Sequence, residues 1–145
     1  MRDEEGNIQI IFHSYLGKAT NNMAKLMAME LCLEILVKYN IHNVIIEADS
    51  KLVINSVKRV NVGAALEKIS SHWWFLQVYQ RIQSHLRVLR TLRLLHLRRE
   101  ANKVADWLAN EGVRNKHIDL CCWWEEVTDD RMKKECSSWA LSDRQ

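Results

Sequence analysis

The sequence of 145 residues contains no proline and only four glycines, which argues against long flexible linkers. No apolar run approaches the roughly 20 residues that a membrane-spanning helix needs. Residues 1–5 are mostly acidic and lack the apolar core of a signal peptide. We therefore expect an intracellular protein, nuclear or cytoplasmic, that has no membrane partner.

Metal-binding cysteine pairs are also missing. The chain has four cysteines, but none forms the Cys-x-x-Cys pair that is typical of structural zinc sites. We expect reduced thiols and no structural zinc.

Acidic residues are scarce in one stretch of a chain whose net charge is only +3. Between residues 81 and 103, Glu100 alone offsets a series of cations: Arg81, Arg87, Arg90, Arg93, Arg98, Arg99 and Lys103. A basic face of this kind can attract nucleic acid. Charge alone fits a solvated surface equally well.

Apolar periodicity and turn residues predict an α/β fold. A turn is expected over Arg2–Asn7. The predicted strands are Ile8–Tyr15, Val44–Ala48 and Val88–His96, although the arginines of the last also permit a helix. The predicted helices run from the Thr20 cap to Tyr39 and Asn40, from Ser50 to Lys58, from Glu67 to His85, and from Asn102 to Asn110, with Gly112 as a cap. This β-α-β-α-α-β-α order implies a mostly parallel sheet covered by helices.

The expected burial follows from the same patterns. In the first helix the residues at helical spacing are Ala24, Met27, Ala28, Leu31 and Ile35. The third helix should bury a face containing Trp73 and Trp74. We interpret the tryptophans as packing residues rather than base-stacking platforms: Trp73, Trp74, Trp123, Trp124 and Trp139. Because three of them follow Val113, we expect the C-terminal tail to dock.

Two aspartates are candidate metal ligands. Asp49 follows a predicted parallel strand, at the sheet edge where α/β proteins bind ligands. Asp106 lies one turn into a helix that begins near the same edge. Paired carboxylates can share magnesium ions, which can activate water in phosphodiester hydrolysis. Taken alone, Asp49 could belong to a helix-capping turn, and Asp106 could be an exposed acid.

Three segments in the order and spacing of a known fold decide between these interpretations. They are Ala19–Asn22, Ile46–Ser50 and His96–Ala109, the last with His, Asn, Val-Ala-Asp and Leu-Ala in register. Through them the chain resembles the ribonuclease H-like domains that are common in plant retroelement-derived genes. The resemblance implies a ribonuclease H-like mixed sheet covered by helices. It assigns residues 1–112 to that domain and leaves 113–145 as a partly helical tail.

The resemblance also implies an activity. Such domains hydrolyse the RNA strand of RNA–DNA hybrids with two magnesium ions held by four carboxylates. Asp49 and Asp106 resemble two of those carboxylates. His96 resembles the mobile histidine that assists proton transfer or product departure, although alone it could be a surface histidine at a strand end.

The same resemblance supplies candidate contacts to nucleic acid. Asn21 and Asn22 resemble the asparagines that read the minor groove of the hybrid, where an A-like helix exposes 2′-hydroxyls. Thr20 and Ser50 resemble contacts to phosphate or sugar. The implied partner is an RNA–DNA hybrid or RNA, bound by a monomer.

The chain departs from the family pattern at the metal site. Lys25 stands where a glutamate should follow Asn22 by three positions. Glu30 lies about 140° further round the helix and should face elsewhere. We therefore expect Lys25 to pair with Asp49 or Asp106, and magnesium to bind weakly or not at all.

The family's first two strands, with the aspartate of the first, also have no counterpart, so we expect a domain that is incomplete at its N-terminus. In their absence, Ile8–Tyr15 is expected to pair with Val44–Ala48 and to complete a right-handed crossover. With two of four carboxylates, a working hybrid ribonuclease competes with a non-catalytic nucleic-acid-binding domain and with a protein-interaction remnant. We favour residual nucleic-acid affinity with impaired catalysis.

Overall fold

The computed structural model describes residues 1–116 and 119–143 as a mixed α/β chain. Its strands are β1 (Ile10–His13), β2 (Val44–Ala48), β3 (Leu92–His96) and β4 (Leu120–Trp123). Its helices are α1 (Asn21–Lys38), α2 (Lys51–Asn61), α3 (Trp73–Val88), α4 (Lys103–Arg114) and α5 (Asp130–Asp143). Taken in chain order, the first seven of these strands and helices (β1, α1, β2, α2, α3, β3 and α4) follow the predicted order. In the described part of the chain, no helix is long and apolar enough to cross a membrane.

The chain divides into two compact units. The central unit is Lys18–Leu97, and the terminal unit combines Met1–Gly17 with the chain from Arg98 onward. The central unit therefore contains β2, β3 and the first three helices. The terminal unit contains β1, β4, α4 and α5.

Two parallel strands form the sheet of the central unit. β2 pairs with β3 from Val44 opposite Leu92 to Ala48 opposite His96. The prediction for β2 is confirmed, although Ile45 is 53% exposed and the strand is buried mainly at Ile46. β3 begins later than predicted, because α3 continues to Val88 and the chain then turns through Thr91 at φ 51°.

Helix α1 lies where it was predicted, but a different face of it is buried. Thr20 caps its start and Tyr39 caps its end. The buried residues are Leu26, Met29, Leu33, Ile35 and Leu36, so only Ile35 belongs to the predicted stripe. Apolar side chains occur on most sides of this helix, and periodicity alone therefore could not select the face that packs.

Helix α3 corrects two further expectations. It begins at Trp73 rather than Glu67, because Leu66–Lys68 form a separate 3₁₀ turn and His72 caps α3. Its buried face is Val78, Tyr79, Ile82 and Leu86. Trp73 is 64% exposed, so the predicted tryptophan face is wrong at this residue.

The strand pairing of the terminal unit also differs from expectation. β1 pairs antiparallel with β4, from Ile10 opposite Trp123 to His13 opposite Leu120. The predicted pairing of Ile8–Tyr15 with Val44–Ala48 is wrong, since β2 pairs with β3 in the described sheets. Ile11 of β1 belongs to a core with Leu108 of α4, and Leu120 and Cys122 of β4 pack against this core. A strand from the tail thus takes the place that we assigned to β2.

The tail docks, as expected. Val127, Met132 and Cys136 are buried against Ile11 and Leu108, and Trp124 packs against this cluster. Cys136 is a free thiol whose pKa is raised to about 11 by burial, so it stays protonated at neutral pH.

Gly112 is not a helix cap, because α4 continues past it to Arg114. A Cβ atom at this position would lie 2.7 Å from the backbone oxygen of Ser14. Glycine is therefore required for close packing of α4 against the segment that follows β1, rather than for a left-handed turn.

His13 introduces a pH dependence into the terminal unit. It is 6% exposed, and its Nδ1 has no hydrogen-bond partner among the described residues. Burial lowers its pKa below the usual 6.5, although Glu111 and Asp119 act in the opposite direction. Between the folded and unfolded pKa values the unfolded chain binds more protons, so stability falls as the pH drops below about 6.5.

We expect urea unfolding at pH 7.5 and pH 5.5 to show this loss in the wild-type protein. In His13→Gln, which cannot protonate, the loss should be smaller. Equal losses in both proteins would contradict the assignment to His13.

Candidate nucleic-acid interface

The carboxyl ends of β2 and β3 bring two of the candidate residues to one edge. Ala48 lies opposite His96, and the Leu97 amide donates to the Ala48 oxygen at 2.9 Å. Asp49 follows Ala48 directly, and the His96 side chain is exposed. The pairing of the parallel strands therefore places a carboxylate and an imidazole at the same end of the sheet, as ligand sites in α/β folds require.

Lys25 reaches this edge from the second turn of α1. Its Nζ atom lies 3.0 Å from Oδ1 of Asp49. The Asp49 side chain is 12% exposed and that of Lys25 is 33% exposed, so the pair is partly shielded from water. The expectation that Lys25 pairs with Asp49 or Asp106 is confirmed for Asp49. An ammonium group thus occupies the position next to this carboxylate that a metal ion would need.

Two candidate hydroxyl groups cap helices. Thr20 Oγ1 accepts from the Met23 amide, and Ser50 Oγ accepts from the Val53 amide, each at 3.3 Å. Each hydroxyl retains a hydrogen that it can donate to a phosphate oxygen. Ser50 is buried whereas Thr20 is exposed, so Thr20 is the more accessible donor.

The asparagines Asn21 and Asn22 begin α1 and are both exposed. They lie one turn before Lys25, at a helix end whose first turn contains no acidic residue. Amide side chains offer both donors and acceptors to a ligand. The start of α1 therefore presents polar side chains, and its own first turn carries no negative charge.

Glu30 does not replace the missing glutamate. Its carboxylate pairs with Arg81 of α3 through a hydrogen bond from Nε, as expected of a residue that faces away from Asp49. This bond raises the pKa of Arg81 and holds α1 against α3. Arg81, counted in the basic stretch, thus has a structural partner that its sequence position did not reveal.

Asp106 belongs to the terminal unit and has its own cation. Arg99 Nε lies 3.5 Å from its Oδ2, and both side chains are well exposed. Exposed pairs of this kind contribute little to stability. Asp49 and Asp106 are in different units, and the expectation that they converge on one metal stays a prediction.

The start of α4, which carries Asp106, is held by a residue that sequence reasoning missed. The Asp143 carboxylate accepts from the amides of Lys103 and Val104 at 3.1 and 3.2 Å. Lys103 also lies 5.2 Å from the ring centre of Trp139. Because Asp143 is some 40 residues from α4 along the chain, no local capping pattern could identify it.

These donors do not fit a two-magnesium centre. Among the described residues, no three His, Cys, Asp or Glu side chains form a group that could hold a metal ion. Magnesium requires several oxygen ligands, whereas the close partner of Asp49 is a cation. The edge that contains Asp49, Lys25 and His96 holds one carboxylate beside an ammonium group, and it offers no set of carboxylates to activate water.

The comparisons with known proteins agree with the sequence motifs. The sequence profile of the family described as reverse transcriptase-like matches residues 1–112. Neither the curated proteins nor the solved structures yielded a match. Because the profile covers most of the chain, including all the candidate site residues, the chain belongs to the reverse transcriptase-like family of ribonuclease H-like domains.

Proposed function

We propose that this chain binds RNA–DNA hybrids or RNA through the edge that contains Asp49 and the start of α1, and that it does not cleave them. The ion pair between Lys25 and Asp49 at 3.0 Å is the observation that carries this proposal. The family suggests a nucleic-acid substrate, and the ion pair argues against the family's magnesium-dependent hydrolysis.

The charge of the edge supports binding without metal. A cluster of carboxylates repels a phosphodiester unless metal ions neutralise it. Here the ammonium of Lys25 neutralises Asp49 and can donate a further hydrogen bond to a phosphate oxygen. We therefore expect binding that does not depend on magnesium and that weakens as salt rises.

Recognition is assigned to polar groups around this pair. Asn21 and Asn22 would contact the minor groove, where 2′-hydroxyls distinguish RNA from DNA. Thr20 and Ser50 would donate to phosphate or sugar oxygens. His96 and Asp106 would keep the family's catalytic positions in the sequence without metal ions. In this proposal residues 1–112 are the ribonuclease H-like domain, and residues 113–145 are appended to it.

A binding assay and a cleavage assay on the same RNA–DNA hybrid test the proposal. We expect the labelled hybrid to bind equally well in EDTA and in magnesium, and to remain uncut. The double variant Asn21→Ala/Asn22→Ala should bind about tenfold more weakly, equivalent to about 1.4 kcal/mol. Asn110→Ala, at an exposed position of α4, should bind like the wild type.

Each other outcome overturns part of the proposal. Cleavage that requires magnesium and is lost in Asp49→Asn would show a working ribonuclease. Absence of binding to hybrid, duplex RNA and single strands at low salt would favour the protein-interaction remnant. Equal binding by the asparagine variant and its control would remove the start of α1 from the interface.

A further inference from the structure

An aromatic cluster that includes the exposed Trp73 lies at the start of α3, and it contains none of the residues that we assign to hybrid binding. We call it the α3 aromatic cluster; it comprises His72, Trp73, Trp74 and Phe75. The rings of His72 and Trp73 are stacked, with centroids 6.1 Å apart and planes at 21°. Phe75 meets His72 and Trp74 edge-on, with centroids at 5.8 and 5.0 Å.

Trp73 does not pack in a core. It is 64% exposed, whereas Val78 and Ile82 of the same helix are completely buried. Exposing a large ring to water forgoes the burial that usually makes tryptophan stabilising. The position is therefore poorly explained by packing, which was our interpretation of this residue from the sequence.

Hydrogen bonds hold the His72 ring of this cluster in place. His72 Nδ1 accepts from the Trp74 amide at 3.3 Å, and Ser70 Oγ accepts from the His72 amide at 3.2 Å. The His72 ring beside Trp73 is thus tied to the backbone at the helix start. An aromatic surface that is already ordered loses little conformational entropy when a flat ligand stacks on it.

The surroundings of the cluster are polar and partly cationic. The first turn of α3 contains no acidic residue. The 3₁₀ turn Leu66–Lys68, which contacts α3, contains Glu67 and Lys68, and Arg59 Nη2 donates to the Lys68 oxygen at 3.0 Å. Arg59 and Lys68 are both exposed. Lys68 precedes Trp73 by only five residues, so their Cα atoms are at most about 18 Å apart. Proteins that bind single-stranded nucleic acids combine such cations, which contact phosphates, with an aromatic face on which a base stacks.

We infer that Trp73 is a stacking platform for an unpaired base of single-stranded RNA, with Arg59 and Lys68 near the adjoining phosphates. A protein-docking surface would need a contiguous apolar patch, but Trp73 is the one exposed apolar ring of the cluster, since Trp74 and Phe75 are partly buried and Ser71 and His72 are polar. Every base has a flat face that can stack on the Trp73 ring, so we expect this contact to be independent of the RNA sequence. It adds a single-strand site to the duplex interface proposed above.

The test measures binding of a labelled twelve-nucleotide oligouridylate to the whole chain by fluorescence anisotropy. Trp73→Ala should weaken binding about tenfold, and Trp73→Phe should restore most of the affinity. Val88→Ala is the matched control, since Val88 is 55% exposed at the other end of α3. An oligonucleotide with abasic positions should bind equally to all three variants and the wild type.

Salt dependence separates stacking from charge. Trp73→Ala should leave the slope of affinity against salt unchanged, whereas Lys68→Ala should reduce it. Circular dichroism and urea unfolding should show that Trp73→Ala remains folded, which is expected for an exposed side chain.

Wild-type affinity in Trp73→Ala would overturn the inference and leave Trp73 to a protein partner. Failure of the oligouridylate to bind the wild type at low salt would overturn it too. Binding of a blunt-ended RNA–DNA hybrid tests the proposed function separately. Hybrid binding should depend on Asn21 and Asn22 but not on Trp73.

Discussion

Lys25→Glu is expected to create a divalent-cation site and to destabilise the protein in metal-free buffer. The substitution places a second carboxylate beside Asp49, whose side chain is only 12% exposed. Two like charges about 4 Å apart repel by about 4 kcal/mol at an effective dielectric near 20. Because the position of Lys25 is one-third exposed, the new side chain can turn partly to solvent. We therefore expect the free energy of unfolding to fall by roughly 1–3 kcal/mol, which is less than the full repulsion and similar to the contribution of a hydrogen bond to a charged group.

Urea unfolding with EDTA and with millimolar manganese or magnesium measures both effects. Divalent ions should restore part of the stability of Lys25→Glu and should leave the wild type unchanged, since binding to the folded state stabilises it. Calorimetric titration with the same ions should show tighter binding to Lys25→Glu than to the wild type. Lys25→Gln is the control, because it removes the ion pair without adding a carboxylate and should gain no metal response.

Hybrid cleavage should remain absent in Lys25→Glu. The described residues contain no third and fourth carboxylate beside Asp49 that would complete a two-metal centre. Robust cleavage by this variant would show that another residue completes the site. A variant that neither loses stability nor responds to metal would show that Lys25 does not occupy a ligand position.

Gly112→Ala is expected to destabilise the terminal unit although alanine is the better helix former. In an unconstrained helix the substitution would stabilise by about 1 kcal/mol. Here the new Cβ would lie 2.7 Å from the Ser14 oxygen and 3.3 Å from its nitrogen. These are backbone atoms, so relief requires α4 to move away from the segment after β1. Overpacking of this kind costs roughly 1–3 kcal/mol.

Thermal unfolding measures this effect, with an expected decrease of roughly 2–4 °C for each kcal/mol in a chain of this size. Val113→Ala, at the neighbouring exposed position of α4, is the control and should unfold near the wild-type temperature. If Gly112→Ala were as stable as the wild type, the close approach of α4 to Ser14 would be wrong.

The elements that sequence reasoning located well are those whose signals are local. Thr20 and Ser50 cap α1 and α2 where capping side chains precede apolar runs. Val44–Ala48 is a strand because a short β-branched run lies between turn residues. The ion pair of Lys25 with Asp49 was also predictable, since the family register places both residues at one edge.

The failures share a different property, since each depends on residues distant in the chain. Ile8–Tyr15 could have paired with any exposed strand edge, and its partner became Leu120–Trp123. The buried face of α1 was unpredictable, because an apolar side chain on nearly every side leaves the choice to its neighbours. Gly112 has the signature of a helix end, yet its function is to admit the Ser14 backbone.

The sequence by itself determined the order of the first seven elements, the family and the charge reversal at Lys25, because caps, periodicity and motif spacing operate within a few residues. Only the tertiary structure decided which strands pair and which helix faces are buried. It also decided that the Trp73 side chain is exposed to solvent. Packing makes those choices, since it depends on which distant surfaces meet, and a linear pattern does not contain that information.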